Sequence, residues 1–208
     1  MADDQTFRTL LLIGVATTLP ITAYHRYKAH TNEPLDRRQE GWIILATVRP
    51  IGIAFMIALI VYAVNPARMA WAAVPLPGWI RWTGFGVLIA ANMLLFWTLH
   101  TLGRNLTDTV VTRREHTLVV RGPYRWVRHP FYCCVALVIL STSVIAANWF
   151  LMVTGPIALA MLVVRTPIEE AKLVERFGDD YRRYMARTNR FIPTLRPTGR
   201  GAGAAPHR

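Results

Sequence analysis

The chain has 208 residues, 53% of them hydrophobic and 17% charged, with a mean hydropathy of +0.28. That balance is poor for a water-soluble domain and ordinary for a membrane protein, and the length allows one compact unit. The net charge of +12 would fit a nucleic-acid binder only if it lay on one face of a soluble fold, but here the charges sit between apolar runs, as the positive-inside rule places them.

Arginine outnumbers lysine 22 to 2, and alanine is abundant, a bias pointing to a prokaryotic source. Cys133 and Cys134 are adjacent in an apolar run and lack metal-ligand spacing. They are expected to pack as small apolar side chains, and no metal site is expected.

Asp3 and Asp4 open the chain where a cleaved signal peptide would be basic. The apolar run from Phe7 to Tyr24 is predicted as a first membrane helix, followed by a polar loop with Arg26, Lys28, Arg37 and Arg38. The second span, Trp42–Val64, has 23 residues, roughly 34 Å as a helix against an apolar core of about 30 Å. Arg49-Pro50 lies inside it. A charge at that depth costs on the order of 3 kcal/mol, so Arg49 is expected to face the bundle, as partner either of an anionic ligand group or of another helix. Pro50 removes a ladder hydrogen bond and predicts a kink.

A connector with Pro66, Pro75 and Pro77 leads to a third span, Trp79 to Leu99, with Trp79, Trp82 and Trp97 as interfacial anchors. Gly84-Phe-Gly86 within this span neither follows a strand nor opens a helix in water, so it predicts close helix packing rather than a phosphate loop. The longest polar connection, His100–Phe131, carries Arg104, Arg113, Arg114, Arg121, Arg125 and Arg128. Thr109–Thr112 and Leu118–Val120 alternate too briefly to make a sheet, and Asn105-Leu-Thr107 is a chance sequon on a cytoplasmic loop.

Tyr132–Val164 runs 33 residues without a charged side chain, which as one straight helix would be about 50 Å long. It must break, with Asn148-Trp149 as the tip of a tight hairpin of two helices of about 16 residues each. Thr166-Pro167-Ile168-Glu169 then reads as a capped start of a new helix. Ile168, Ala171, Val174, Phe177, Tyr181 and Tyr184 give it an amphipathic face, with a break at Gly178-Asp179. From Arg196 onward nothing apolar remains to fold around, so residues 196–208 are expected to be disordered.

Of the 24 basic residues, 4 lie in the loop 25–41, 6 in 100–131 and 10 from Arg165 onward. Five spans, with the N-terminus outside and the C-terminus cytoplasmic, put all three groups on one side. The expected fold is an all-α integral membrane protein of a prokaryotic cell membrane, with about five transmembrane helices, the last two a tight hairpin, and a cytosolic amphipathic C-terminal helix. Residues 1–195 would form one domain.

The hairpin would bring Arg121–Tyr132, RGPYRWVRHPFY, beside Arg165–Glu170 at the cytoplasmic interface. Together they suit a zwitterionic aromatic ligand: carboxylates for an ammonium, arginine for a carboxylate, rings for a base or a sulfonium. Singly each part has a plainer role. Glu169 can cap a helix, Arg125 and Arg128 can bind lipid phosphates, and His129-Pro130 can start a helix.

Gly122-Pro-Tyr-Arg-Trp-Val-Arg-His-Pro-Phe-Tyr132, the hairpin, Arg165-Thr-x-x-Glu-Glu170 and Phe177-Gly-Asp-Asp-Tyr181-x-x-Tyr184 together resemble the isoprenylcysteine carboxyl methyltransferase and phospholipid methyltransferase family, over roughly Leu99 to Pro193. The resemblance implies an integral-membrane enzyme that binds S-adenosylmethionine in a cytosolic pocket built from 100–132 and 165–193, releases S-adenosylhomocysteine, and methylates a lipid-like acceptor reached from the bilayer. It assigns cofactor contacts to Gly122, Pro123, Tyr124, Arg128, His129, Pro130, Tyr132, Glu169 and Glu170, with Arg165 on the acceptor side and Glu170 or His129 as candidate bases for an amine or thiol. A carboxylate acceptor needs no base. Two other classes share features of the pattern: an NADPH-dependent reductase of the sterol-reductase type, with a similar histidine-proline-x-tyrosine motif, and a non-catalytic membrane scaffold.

Overall fold

The computed structural model describes residues 2–29, 42–103 and 117–193. The sequon at Asn105, the Thr109–Thr112 stretch and the tail from Arg196 lie outside the described residues, as does the side chain of Arg49. Among the described residues the fold is all-helical: α1 (Ala2–Ala29), α2 (Trp42–Val64), α3 (Gly78–Leu102), α4 (Pro130–Ala146), α5 (Trp149–Phe177) and α6 (Asp179–Arg187). By length and composition, three helices can cross a membrane, Asp4–Ala29, Gly78–Leu102 and Trp149–Phe177, and Pro50–Val64 and Pro130–Ala146 are shorter apolar helices. With Ile53, Ile57, Ile60, Met93, Val153 and Val164 exposed, the outer face is apolar, as a bilayer requires of an integral membrane protein.

The most extensive contact is α3 against α4, followed by α2 against α5. Small residues permit these approaches. A Cβ on Gly84 would lie 3.1 Å from Val144 and 3.4 Å from the Ser141 carbonyl, so the α3 glycine is a packing site against α4 as its context predicts, whereas Gly86 has open space. Gly155 on α5 is tighter, because a Cβ there would be 2.4 Å from Ile139 and 3.1 Å from Phe55. Between α1 and α3, Asn92 donates to the Gly14 carbonyl at 3.2 Å and to Thr17 at 2.9 Å, and Thr18 donates to Asn92 at 2.7 Å.

The hairpin breaks where expected. Ala147 is left-handed (φ 47°) and Asn148 accepts the Leu151 N–H at 3.2 Å, capping α5. The end of the bundle that holds this tip is clamped by two arginines, each on the last carbonyls of a helix. Arg8 donates to Ala63 at 2.7 Å and Val64 at 2.8 Å at the end of α2, and Arg81 donates to Ile145 at 2.9 Å at the end of α4. Arg81 also pairs with Asp4 at 2.7 Å and lies 4.0 Å from the centre of the Phe7 ring. Helix C-termini carry unpaired carbonyls and a negative dipole end, so cations fit there.

One expected boundary is overturned. No helix starts at Thr166-Pro167; α5 runs unbroken from Trp149 to Phe177, and Glu169 therefore lies mid-helix. Pro167 cannot donate to the Val163 carbonyl, but the Thr166 hydroxyl does so at 2.8 Å, taking up the acceptor that the proline leaves open. The break at Gly178 is as expected: its φ of 55° ends α5, and α6 begins at Asp179. α1 extends beyond the Phe7–Tyr24 apolar run at both ends.

The tight fit at Gly155 gives a paired prediction. Gly155→Ala should lower stability by about 1–3 kcal/mol through overpacking, and Gly86→Ala should leave it nearly unchanged. Thermal melts of the two variants in one detergent check this.

Candidate active site

The polar segment before α4 is shaped by two X-Pro steps and a glycine. Gly122 has φ +58°, and a Cβ there would sit 2.7 Å from the Thr101 hydroxyl, so only glycine fits both the backbone and the space. Pro123 then starts a short 3-10 turn, Gly122–Arg125, closed by Trp126 N–H to the Pro123 carbonyl at 3.2 Å. His129 (φ −121°, ψ 60°) lies outside the helical region that the following proline disfavours, and Pro130 opens α4 where no donor is needed. From beneath, Tyr184 of α6 donates to the Tyr124 carbonyl at 2.5 Å and the Val127 carbonyl at 3.4 Å.

After α6 the chain returns across this turn. Residues 188–193 form a strap in which the Arg128 N–H donates to Asn189 at 2.9 Å and the His129 N–H to Arg190 at 3.1 Å, and the Cys133 thiol donates to Phe191 at 3.5 Å. Arg128 Nη1 adds a bond to the Thr188 carbonyl.

At the centre is Glu170, with a side chain only 3% exposed. Its Oε1 accepts from Arg128 Nε at 2.8 Å, His129 Nε2 at 3.1 Å and Arg190 Nε at 3.2 Å, and its Oε2 from Arg190 Nη2 at 2.5 Å. A carboxylate offers about four lone-pair sites, so the fold itself fills Glu170. Glu169, 19% exposed, is differently placed: Tyr132 donates to its Oε1 at 2.5 Å, Arg165 Nε lies 3.4 Å away and His129 Nδ1 3.8 Å from Oε2. Adjacent helical side chains diverge by about 100°, and His129 occupies the angle between the two carboxylates. Its ring stacks on Tyr132 at 5.5 Å and meets Phe191 at 5.7 Å.

The apolar part of α5 ends at Val164, so these groups lie outside it. Burial would raise the Glu170 pKa, but hydrogen bonds from Arg190, Arg128 and His129 outweigh it and bring it down to about 2. Burial lowers His129 below 6.5 despite its bond to Glu170. The neutral ring then donates from Nε2 to Glu170 and keeps a lone pair on Nδ1.

The structure brings Arg128, His129, Pro130, Tyr132, Arg165, Glu169 and Glu170 into one cluster, with the Gly122-Pro123-Tyr124 turn directly before it. Arg190 and Phe191 of the strap belong to the same cluster and escaped sequence reasoning, because a single arginine in a polar stretch has no period or motif. Also unforeseen is a cavity of about 470 Å³ lined by His100, Thr101, Gly103, Leu118, Val119 and Arg121, among others. It adjoins the Gly122 turn through Arg121 and presents the irregular backbone of residues 117–120.

Residues 82–175 match the sequence model of the isoprenylcysteine carboxyl methyltransferase family. The chain is 32% identical over 122 residues to protein-S-isoprenylcysteine O-methyltransferase B of Arabidopsis thaliana, covering 55% of this chain and 60% of that one. It is 35% identical over 126 residues to the cobalt-zinc-cadmium resistance protein CzcN of Cupriavidus metallidurans, covering 57% and 56%. Among solved structures it resembles a eukaryotic intramembrane Ras methyltransferase (TM-score 0.50, 25% identity), over 71% of this chain and 52% of that one. The chain thus spans somewhat over half the length of each of these proteins.

Two titrations predict the acid response. Glu170 contributes stability that is complete above its ordinary value of 4.5 and is lost as pH falls toward about 2. His129 acts in the same direction, because the unfolded chain takes up its proton first as pH drops below 6.5. Stability measured by denaturant melts should fall below pH 6.5 and most steeply below 4.5. At pH 7, Glu170→Gln should lose on the order of 3–5 kcal/mol, because it leaves buried arginines without their counter-charge, and its melts should lack the steep acid limb.

Proposed function

We propose, on the match of residues 82–175 to the isoprenylcysteine carboxyl methyltransferase family, that the chain transfers a methyl group from S-adenosylmethionine to a lipophilic acceptor at the cytosolic face of the membrane. The observation that carries this reading is the cluster in which a buried, saturated Glu170 holds Arg128 and His129 while Glu169 beside it keeps partial exposure.

The residues fit such a cofactor. The cavity of about 470 Å³ lies in the range of small-molecule sites. Its irregular backbone offers N–H and C=O groups to a purine edge, and the glycine at 122 lets that backbone come close. Glu169 offers negative charge, and the stacked Tyr132 and His129 rings offer π-faces, both favourable to a sulfonium. Gly122, Pro123, Tyr124, Arg128, His129, Pro130, Tyr132 and Glu169 would hold the cofactor. Glu170 acts through Arg128 and His129, and Arg165 faces the acceptor. When bound, S-adenosylmethionine supplies an electrophilic methyl group on a cationic sulfur.

What this chain must supply is alignment and exclusion of water, because in-line displacement at a sulfonium neutralises charge. Holding two reactants in line is worth about 7–11 kcal/mol, more than any single proton transfer contributes. Tyr132 fixes Glu169 by its hydroxyl, and the strap fixes Arg128 by its carbonyls, so both sides of the cluster are held before any ligand arrives. We further assign five membrane crossings with the N-terminus outside, because the basic segments then share the cytosolic side.

Calorimetric titration of the detergent-purified protein with S-adenosylhomocysteine should give saturable one-to-one binding, and NADPH in parallel should give none. Glu169→Gln and Tyr132→Phe should each weaken that binding by about tenfold. Binding of NADPH alone would overturn the methyltransferase reading.

A further inference from the structure

The outer face of α3 and the turn before α4 meet in a surface patch that takes no part in the cluster described above. Met93, Phe96 and Trp97 are exposed on one face of α3, and His100, one turn further on, ends that apolar stretch. The Trp97 ring meets the half-buried Trp126 edge-on at 5.5 Å. The Arg125 guanidinium lies over Trp126, 4.9 Å from the ring centre. The surface therefore passes from aliphatic groups through two indoles to a cation. A bilayer leaflet passes in the same order from acyl chains through the interfacial zone, where tryptophan settles, to the phosphates.

Arg125 is exposed, and among the described residues no carboxylate pairs with it. Other exposed arginines differ: Arg182 and Arg183 on α6 are already paired with Asp179 and Asp180. A guanidinium attracted to an indole is held in place while its N–H donors stay available, so it loses little further freedom when an anion arrives. A phosphate presents acceptors that match that fork of donors.

We propose that Arg125, Trp126 and Trp97 form a seat for the phosphate head of an anionic phospholipid, in the leaflet on the side of the bundle that carries the site. The inference goes beyond the methyltransferase reading and stands without it. The chain's net charge of +12 favours an anionic head over a zwitterionic one, whose own cation would be repelled by the same surface. The seat also touches the site's frame. Arg125 closes the 3-10 turn Gly122–Arg125, which packs on α3, and the Tyr124 carbonyl in that turn is held from beneath by Tyr184. A lipid on Arg125 holds the same turn from its outer side.

The test uses the full chain in a neutral detergent and reads lipid retention by native mass spectrometry, with phosphatidylglycerol and phosphatidylcholine as probes and sodium phosphate as competitor. The wild type should hold phosphatidylglycerol about tenfold more tightly than phosphatidylcholine. Arg125→Gln should bring the two lipids to within about twofold of each other, and Trp126→Leu should weaken phosphatidylglycerol binding about threefold. Arg182→Gln should keep the wild-type preference. No preference in the wild type, an undiminished preference in Arg125→Gln, or an equal loss in Arg182→Gln overturns the inference, the last because it shows diffuse charge rather than a seat. Displacement of phosphatidylglycerol by sodium phosphate at equal concentration would make the seat one for a free anion and overturn the lipid assignment. Should Trp126→Leu fail to fold, Arg125→Gln, whose side chain is exposed, decides alone.

Discussion

The carboxylate of Glu170 is the interaction on which the end of the bundle that carries the site depends. Moving an ion of that kind out of water costs several kcal/mol unless its lone pairs are met. Here they are met from two sides, so that three stretches are tied together: α5, which carries Glu170, Arg128 and His129 before α4, and Arg190 on the strap. None of these stretches could hold its position alone. The turn 122–129 has no regular structure of its own beyond one 3-10 turn, and the strap makes only two backbone bonds to it. Their shared carboxylate converts three weak local preferences into one arrangement.

The opposite end of the bundle solves a related problem by different means. There the unpaired groups are the last carbonyls of α2 and α4, and Arg8 and Arg81 cross from other helices to meet them. Between the two polar ends the helices are held by small residues and by Asn92, because lipid tails compete with apolar side chains and remove the usual hydrophobic drive between helices. The result is a frame fixed at both ends and closely packed in the middle, which is what a site made of loop residues needs beneath it.

How much of this was legible in the sequence follows from the range of the forces involved. The hairpin tip at Asn148 could be placed because a 33-residue apolar run cannot stay straight in a bilayer, and the break at Gly178 because glycine tolerates left-handed backbone. The helix start expected at Thr166 was wrong for an instructive reason. Threonine before proline is an N-cap signal, yet the same hydroxyl can bond backward to Val163 and carry the helix through, and only the packing of α5 decides between the two. The strap and Arg190 were not legible at all, since their partner Glu170 is 20 residues away and no local pattern marks the pair.

The pairing of Glu169 with Glu170 now has a physical reading beyond two charges side by side. Two open carboxylates at adjacent helical positions would repel each other and raise one pKa, which works against a site for a cation. Filling Glu170 with guanidinium and imidazole donors removes that conflict, because its charge is neutralised within the fold. Glu169 keeps partial exposure, with the Tyr132 hydroxyl fixing its direction and Arg165 at 3.4 Å as its ion-pair partner. His129, between them, gives its one hydrogen to Glu170 and leaves its ring face on Tyr132. The two glutamates are therefore placed differently, Glu170 buried and joining the loops and Glu169 at the half-open edge of the cluster, and the difference follows from the angle of a single helical step.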